Sequence, residues 1–281
     1  AQDVVDICRR LPLDLVFVMA ENFLNGEIIE NARAAARKKP LFLYHSHDNN
    51  FSNGIMKPAG FFETLRKYDL VFTTKSQNVK RYIEFGQPNS FFIASAFEPA
   101  VHRPIPSEVS LYGPRMFNLS FVGTYDYSRD KYLDAVGWED LHIWGNGWTR
   151  FAKYRKHRNR ITPRAIYNDE FSDVISHSRI TLGLLREEAE DRHTQRTFEI
   201  PACGTLQVAP RNEEILSFFT EEKEIVCFSS PDELRDKVSF YLKHDSLRNK
   251  IAKAGFERCW RDHHTYLDRV KEILRLAASS L

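Results

Sequence analysis

Short apolar runs alternate with amphipathic segments along the 281 residues of this chain. The runs at residues 13–20, 41–44, 70–74 and 90–94 are rich in Val, Phe, Leu and Ile, which predicts buried strands. The segments that follow the first and third runs read as helices, because they end at Pro40 and at Gly86. Strands that alternate with helices predict an α/β fold with parallel, doubly wound sheets.

A proline-rich linker at residues 99–114 divides this alternation into two halves. The pattern then resumes, with further strands predicted at residues 117–122, 141–144, 179–185, 205–209 and 226–228. A chain of this length usually forms two domains. We therefore predict two Rossmann-like domains, residues 1–112 and 113–281, with parallel sheets facing across a cleft and C-terminal helices able to cross back.

Charge and composition restrict the function classes. The chain has 40 basic and 38 acidic side chains, so no global field attracts nucleic acid or an anionic membrane. The longest apolar stretch, residues 15–20, is far shorter than the roughly 20 residues of a membrane span, and no signal peptide is recognisable. These features predict a cytoplasmic protein with no integral membrane segment and no nucleic-acid partner.

The cysteines and the first residue give two further expectations. The four cysteines are widely spaced, which favours reduced thiols over disulfides or a zinc cluster: Cys8, Cys203, Cys227 and Cys259. The sequence starts at Ala1 without Met and soon reaches a predicted strand. We therefore expect that an N-terminal piece precedes it.

Candidate binding residues are expected in the loops that follow strands, because ligands of open α/β sheets bind outside the carboxyl ends of the strands. The first such loop contains Gly123 and Thr124, where a glycine lets backbone N–H groups approach a diphosphate. Arg129 stands near the next helix start, where the helix dipole disfavours a cation, so an anionic partner would explain it. The alternative is a turn glycine beside a solvated arginine.

The next loop reads Trp-Gly-Asn-Gly-Trp at residues 144–148. Gly145, Asn146 and Gly147 allow a tight backbone, and the flanking Trp rings could then wall a pocket. The structural alternative is a Gly-Asn-Gly turn with packed tryptophans.

Residues 191–204 carry the strongest signal. Thr194 or Thr197 can cap a helix, and Arg196 adds positive charge at its N-terminus, so hydroxyl, guanidinium and N–H groups converge where a phosphate would bind. Glu199 could accept hydrogen bonds from two ribose hydroxyls. A first-turn glutamate that only compensates the helix dipole is the alternative for Glu199.

An N-terminal loop and a basic run complete the candidates. His45, His47 and Asp48 follow a strand; an HxHD run can ligate a metal or position a sugar, and Asp48 can act as a general base. The alternative is that Asp48 and the two asparagines after it only form a loop. The basic run at residues 153–160 fits an anionic acceptor or RNA, although a solvated helix face is favoured by the balanced net charge.

Three sequence segments together resemble the CgeB-like (spore-maturation) glycosyltransferases: residues 120–126, 144–148 and 193–204. The similarity extends to residues 68–75 and 96–99. The resemblance implies a GT-B fold of the group 1 glycosyltransferase type, with a nucleotide-diphosphate sugar donor in the C-terminal domain and an acceptor in the N-terminal domain. It also implies that the N-terminal domain lacks its first strands.

The resemblance also implies roles for individual residues. Glu199 falls at the second glutamate of the EX7E motif, which holds the ribose, whereas Asp191 stands where that motif has its first glutamate. This departure leaves the donor-sugar contact, and retention or inversion, open. The expected donor-binding residues are Gly123, Thr124, Arg129, Gly145, Asn146, Gly147, Tyr167, His193, Thr194, Arg196, Thr197 and Glu199; the expected catalytic residues are His47, Asp48 and Asp191.

The function predicted from the resemblance is sugar transfer to an unknown glycan, small molecule or protein. Arginines and helix N-termini would neutralise the phosphate charge, without a metal or a cofactor other than the donor. Two alternatives stay open. One is a metal-dependent hydrolase built on His45, His47, Asp48 and His193, and the other is a non-catalytic relative that binds nucleotide sugars.

Overall fold

The computed structural model describes residues 2–19, 24–52, 57, 59–112 and 117–279. Ala20, at the end of the first predicted strand, and residues 113–114 of the predicted linker lie outside the described residues. The chain forms two compact units. The first unit contains Ala1–Ala94, Glu188–Asp191 and Arg269–Leu281, and the second contains Ser95–Glu187 and Arg192–Asp268. The domain limits given by the sequence stay a prediction.

The first unit is a four-stranded parallel sheet with helices. In chain order its elements are α1 (Gln2–Arg10), β1 (Leu15–Met19), α2 (Gly26–Ala35), β2 (Leu41–Ser46), α3 (Phe61–Leu65), β3 (Leu70–Thr73), α4 (Ser76–Glu84) and β4 (Ser90–Phe92). The four strands agree with the sequence prediction. Helix α1 was not predicted; Val5 and Cys8 on this helix are buried in the core.

The strands of the first unit lie in the order β1-β2-β3-β4, without reversal. Right-handed crossovers between consecutive parallel strands place the connecting helices on one face of a sheet. The doubly wound arrangement expected for both halves is therefore absent from the described strands of this unit.

The second unit is built around a six-stranded parallel sheet. Its elements are β5 (Phe117–Val122), α5 (Asp130–Val136), β6 (Leu141–Trp144), α6 (Ala152–Arg155), β7 (Ile161–Thr162), α7 (Asn168–Ser176), β8 (Ser178–Leu182), α8 (Arg196–Ala202), β9 (Leu206–Pro210), α9 (Glu213–Phe218), β10 (Val226–Phe228), α10 (Pro231–Lys243) and α11 (Asp245–Arg261). Ser230 caps α10, because its side chain accepts from the N–H of Glu233, while the Glu233 carboxylate accepts from the N–H of Ser229.

The strand order of this sheet is β10-β9-β8-β5-β6-β7. It corresponds to the 3-2-1-4-5-6 order of dinucleotide-binding folds, with the reversal between β5 and β8. The second unit is therefore doubly wound, as predicted from the sequence.

The last helix, α12 (Tyr266–Ala278), begins in the second unit and continues in the first. Ile273 and Ala277 pack against Leu43, Leu70 and Phe72. Side chains next to Leu43 in β2 point to the other face, because successive residues of a strand alternate. Helix α12 thus covers the face of the first sheet opposite to the α1–α4 core, which explains why β2 and β3 read as continuous apolar runs.

The four cysteines are free and buried. In the part of the chain that the structure describes, no helix combines the length and apolar character that crossing a bilayer requires.

Gly145 lies directly after β6 and packs closely against the loop that follows β5. It has a φ of 153°, and a Cβ placed there would lie 1.9 Å from the carbonyl oxygen of Gly123. Gly145→Ala should lower the free energy of unfolding by at least about 3 kcal/mol, from backbone strain and overpacking together. Urea unfolding followed by Trp fluorescence checks this, because all four tryptophans belong to the second unit.

The matched control is Gly137→Ala. Gly137 also has a positive φ, of 75°, but a Cβ there meets nothing within 4 Å. This change should cost about 1–3 kcal/mol, from the strain of a positive φ with a ψ of 171° and without any overpacking. Equal losses in the two variants would contradict the packing role of Gly145.

Candidate active site

The reversal of strand order places the ends of β5 and β8 side by side in the sheet of the second unit. Ligands of such sheets bind at this switch point, outside the carboxyl ends of the strands. The loop after β5 contains Gly123 and Thr124, and the segment after β8 leads to α8. The structure therefore brings two of the predicted loops to one edge of the sheet.

Arg129 is buried at this edge. Its Nη1 donates to the carbonyl of Thr124 at 2.6 Å and its Nη2 to the carbonyl of Leu184 at 3.4 Å, while the guanidinium lies 5.2 Å from the Phe121 ring centroid. A Cβ on Gly123 would lie 2.7 Å from Phe121 Cζ and 3.4 Å from Arg129 Nη1. The glycine therefore leaves room for a buried arginine, which is not the solvated residue of the structural alternative.

The Trp-Gly-Asn-Gly-Trp turn supports the loop after β5. The carbonyl of Asn146 accepts from the N–H of Tyr125 at 2.8 Å, and Trp148 Nε1 donates to the carbonyl of Gly123 at 2.8 Å. Trp144 and Trp148 are both buried in hydrophobic cores. The packed-tryptophan alternative therefore describes the two rings, and donor contacts of Gly145, Asn146 and Gly147 stay a prediction.

The N-terminus of α8 differs from the expected threonine cap. Its N-cap residue is Gln195, with helical backbone angles and no side-chain cap. The hydroxyl of Thr197 accepts from the N–H of Thr194 at 3.2 Å, and the N–H groups of Thr197 and Glu199 donate to backbone carbonyls. The threonine cap was therefore wrong, because the residues before α8 already form a turn that uses these groups.

Arg196 and Glu199 form an ion pair across the first turn of α8. The pair joins Arg196 Nη1 to Glu199 Oε2, and the guanidinium lies 4.1 Å from the Phe171 ring centroid. Gln207 Nε2 donates to the carbonyl of Arg196 at 3.2 Å. Glu199 is buried, and Arg196 supplies the counter-charge that a buried carboxylate requires.

A cavity of about 580 Å³ opens beside this pair. It lies wholly within the second unit and is lined by Glu98, Val101, His102, Ile166, Tyr167, Asn168, Phe171, Arg196, Glu199 and Tyr266. Three of the predicted donor-binding residues, Tyr167, Arg196 and Glu199, thus meet in one cavity. Tyr167 is 70% exposed, so its ring is accessible to a ligand.

Several cavity residues were missed by the sequence analysis. Val101 and His102 lie in the stretch interpreted as a linker, and Glu98 stands just before it. The available signal was the resemblance at residues 96–99, which ends at the first residue of the proline-rich stretch. Proline content indicates irregular backbone, but it does not indicate where that backbone docks.

Burial controls protonation around the cavity. It lowers the pKa of His102, with Glu199 acting in the opposite direction and Arg196 in the same direction. Burial also raises the pKa of Tyr266 to about 12, and Glu199 adds to this shift. The imidazole and the phenol are therefore both neutral at physiological pH.

His193 has both ring nitrogens engaged. Nε2 accepts from the N–H of Ser95 at 2.9 Å, which requires the other nitrogen to carry the proton and donate to Glu214. The ring is buried. These contacts give His193 a structural role, and its predicted role in donor binding stays untested.

The predicted catalytic residues lie in the first unit. Asp48 is exposed and His47 is half-buried, just after β2. Burial and the neighbouring His47 lower the pKa of His45 to about 3, so that His45 is neutral. Asp191 is buried and forms an ion pair with Lys75, at 2.5 Å between Asp191 Oδ1 and Lys75 Nζ.

The metal-dependent alternative lacks a ligand set. Among the described residues, no group of three His, Cys, Asp or Glu side chains is arranged to hold an ion. His193 cannot complete such a set, since both its nitrogens are already bonded. The alternative is therefore not favoured.

The two parallel sheets, the second with its reversal between β5 and β8, are those of the GT-B fold. Residues 129–275, just over half of the chain, match the glycosyl transferase-like family. The chain belongs to this family and is a glycosyltransferase.

Solved structures show the same fold at low sequence identity. Anabaena HepE, in a complex with UDP and glucose, is 13% identical with a TM-score of 0.70, over 99% of this chain and 81% of that chain. Sucrose-phosphate synthase from Thermosynechococcus elongatus is 14% identical with a TM-score of 0.65, over 96% and 74%. A glycosyltransferase from Rickettsia africae is 12% identical with a TM-score of 0.69, over 99% and 80%. No curated protein sequence matches this chain.

The Lys75–Asp191 pair allows a test of whether Asp191 has a structural role. Asp191→Ala should lower the free energy of unfolding of the first unit by about 3–5 kcal/mol, because it leaves the buried Lys75 without its counter-charge. Urea unfolding followed by far-UV circular dichroism measures this loss.

The control is the double variant Lys75→Met with Asp191→Leu, which removes both charges and keeps apolar volume. It should be clearly more stable than Asp191→Ala. An Asp191→Ala protein as stable as the wild type would show that the pair is not a structural requirement.

Proposed function

We propose that this chain transfers a sugar from a UDP-sugar to an acceptor and that the cavity beside α8 binds the nucleoside of the donor. The observation that carries the proposal is the buried Glu199 carboxylate in this cavity, paired with Arg196 and accompanied by the exposed Tyr167 ring. The volume of this cavity, about 580 Å³, lies within the range of small-molecule binding sites.

The choice of UDP is supported by what similar structures contain. HepE has been crystallised with UDP and with UDP-glucose, and pneumococcal GtfA, of which this chain covers 59%, with UDP and GlcNAc. The CgeB-like subtype is also part of the proposal, and it rests on the sequence segments at residues 120–126, 144–148 and 193–204.

The proposed donor contacts follow the chemistry of the cavity. Glu199 accepts from the ribose hydroxyls, since each carboxylate oxygen has more than one lone pair. The Tyr167 ring stacks on the base. Arg196, about one third exposed, and Arg129 at the ends of β5 and β8 neutralise the diphosphate.

In the transfer step the bond between the anomeric carbon and the β-phosphate oxygen breaks, and UDP leaves with that electron pair. An acceptor oxygen forms the new bond to the anomeric carbon and loses its proton. Charge develops on the leaving diphosphate, so fixed cations lower the barrier. The proposal assigns this task to arginines, with no metal and no cofactor other than the donor.

The acceptor side of the proposal concerns the first unit. Asp48 is exposed and can take the acceptor proton if the configuration inverts, with His47 beside it. Asp191 is bonded to Lys75, which favours a supporting role over proton transfer.

Glu199→Ala provides the direct test. Calorimetry with UDP in the presence of a chelator should show binding to the wild type and about a 10- to 100-fold loss in the variant, since hydrogen bonds to a charged group contribute about 1.5–3 kcal/mol. Clear binding of GDP or dTDP in place of UDP would change the base and leave the rest of the proposal intact.

Glu213→Ala is the matched control, because Glu213 is an exposed first-turn glutamate of α9. It should leave UDP affinity unchanged. If Glu199→Ala behaves like this control, the ribose role is wrong. Binding that requires a divalent ion would sink the metal-independent part of the proposal.

Arg196→Gln tests the phosphate contact. The variant should lose about tenfold more affinity for UDP than for uridine, because the lost interaction is with the diphosphate. The exposed Arg192, four residues earlier, supplies the control variant Arg192→Gln. Equal losses of UDP and uridine affinity in Arg196→Gln would contradict a phosphate contact.

A further inference from the structure

His102 lies in a loop of the second unit that is docked on α7. The carbonyl of Val101 accepts from Ser172 Oγ at 2.8 Å, and Arg103 Nη1 donates to Asp169 Oδ1 at 3.0 Å. The imidazole meets the Phe171 ring edge-on, with centroids 5.7 Å apart. These contacts hold the ring at the wall of the donor cavity.

The hydrogen bonds define the protonation of the ring. His102 Nδ1 accepts from the backbone N–H of Glu98 at 2.9 Å. Because an N–H group can only donate, Nδ1 carries no proton, and the neutral imidazole carries its proton on Nε2. Nε2 lies 3.4 Å from Glu199 Oε1, a long separation of the kind that tightens when a ligand closes a site.

We propose that His102 is a positioning residue that holds the Glu199 carboxylate in the orientation that accepts the ribose hydroxyls. The inference rests on the proposed function, because the hydroxyls belong to the proposed donor. Arg196 binds Oε2, and His102 Nε2 lies 3.4 Å from Oε1, so a small movement on ligand binding brings the Nε2–H donor to the second oxygen of the carboxylate. Each oxygen keeps a lone pair for the ligand.

The neutral state of His102 suits this role. A neutral N–H donor orients the carboxylate without adding a second full positive charge beside Arg196. The carboxylate therefore keeps its strength as an acceptor for hydroxyl groups. Without His102, no imidazole N–H would be available to Oε1 when the ligand binds, and the soft terminal torsion of Glu199 would let the carboxylate turn away.

Two substitutions separate the contacts of the ring. In His102→Asn, the amide oxygen can still accept from the Glu98 N–H, but the side chain is too short to reach Glu199. In His102→Gln, the amide nitrogen occupies roughly the place of Nε2–H and can donate to Glu199. The asparagine variant therefore removes the contact in question, and the glutamine variant restores it.

The measurement is calorimetric affinity for UDP and for 2′-deoxy-UDP, which lacks one of the two ribose hydroxyls. The wild type should prefer UDP by about tenfold or more. His102→Asn should reduce this preference to about threefold or less, and His102→Gln should return it to within about threefold of the wild-type value. A general loosening of the cavity would weaken both nucleotides equally and leave the preference unchanged.

The outcomes distinguish the two proposals. An unchanged preference in His102→Asn, together with a preference lost in Glu199→Ala, overturns the role of His102 alone. Unchanged UDP affinity in Glu199→Ala overturns the ribose role of Glu199, and with it the role of His102. Absence of nucleotide binding to the wild type overturns both.

A spectroscopic measurement tests the same assignment without nucleotide. In ¹⁵N-histidine NMR spectra at pH 7.5, the resonances lost in His102→Asn should have the shifts of a neutral ring protonated on Nε2. A ring protonated on Nδ1, or on both nitrogens, would overturn the proposal, because it could not accept from the Glu98 N–H.

Discussion

The ion pair between Arg196 and Glu199 is the interaction on which the candidate site depends. A carboxylate as buried as Glu199 is costly unless charge and hydrogen bonds compensate it. Arg196 supplies the charge, and its guanidinium is itself held against the Phe171 ring while Gln207 binds its carbonyl. Groups from α7, α8 and β9 therefore converge on this one pair. The cavity forms where their side chains leave space beside the carboxylate.

The two units show that one sequence pattern can give two topologies. Both consist of parallel strands joined by helices, but the first keeps its strands in consecutive order and the second reverses between β5 and β8. The reversal separates the loops after these strands and opens a crevice at their carboxyl ends. The buried Arg129 bridges this edge through the carbonyls of Thr124 and Leu184. In the first unit the second sheet face is covered by α12, a helix from the far end of the sequence.

The residues of the site differ in how far their neighbours in the sequence determine their contacts. Arg196 and Glu199 were predicted separately, as a phosphate contact and a ribose contact, and their spacing of three places both side chains on the same face of the helix. The threonine cap failed because Thr197 binds the N–H of Thr194, a turn that residue type alone does not reveal. His102 was missed because its stretch reads only as a proline-rich linker. The buried side of that stretch is decided by docking on α7, which involves residues about 70 positions further along the chain.

The sequence by itself determined the positions of nearly all strands and the parallel α/β class, because these depend on the spacing of apolar side chains and on short-range contacts. Tertiary structure alone decided the strand order, the partners of buried polar groups and the composition of the cavity. His193 illustrates the difference: its ring nitrogens bind Ser95 and Glu214, which are distant in sequence. Such partners are chosen by the geometry of the folded chain, since a buried donor or acceptor must be satisfied by whatever group the packing brings within reach.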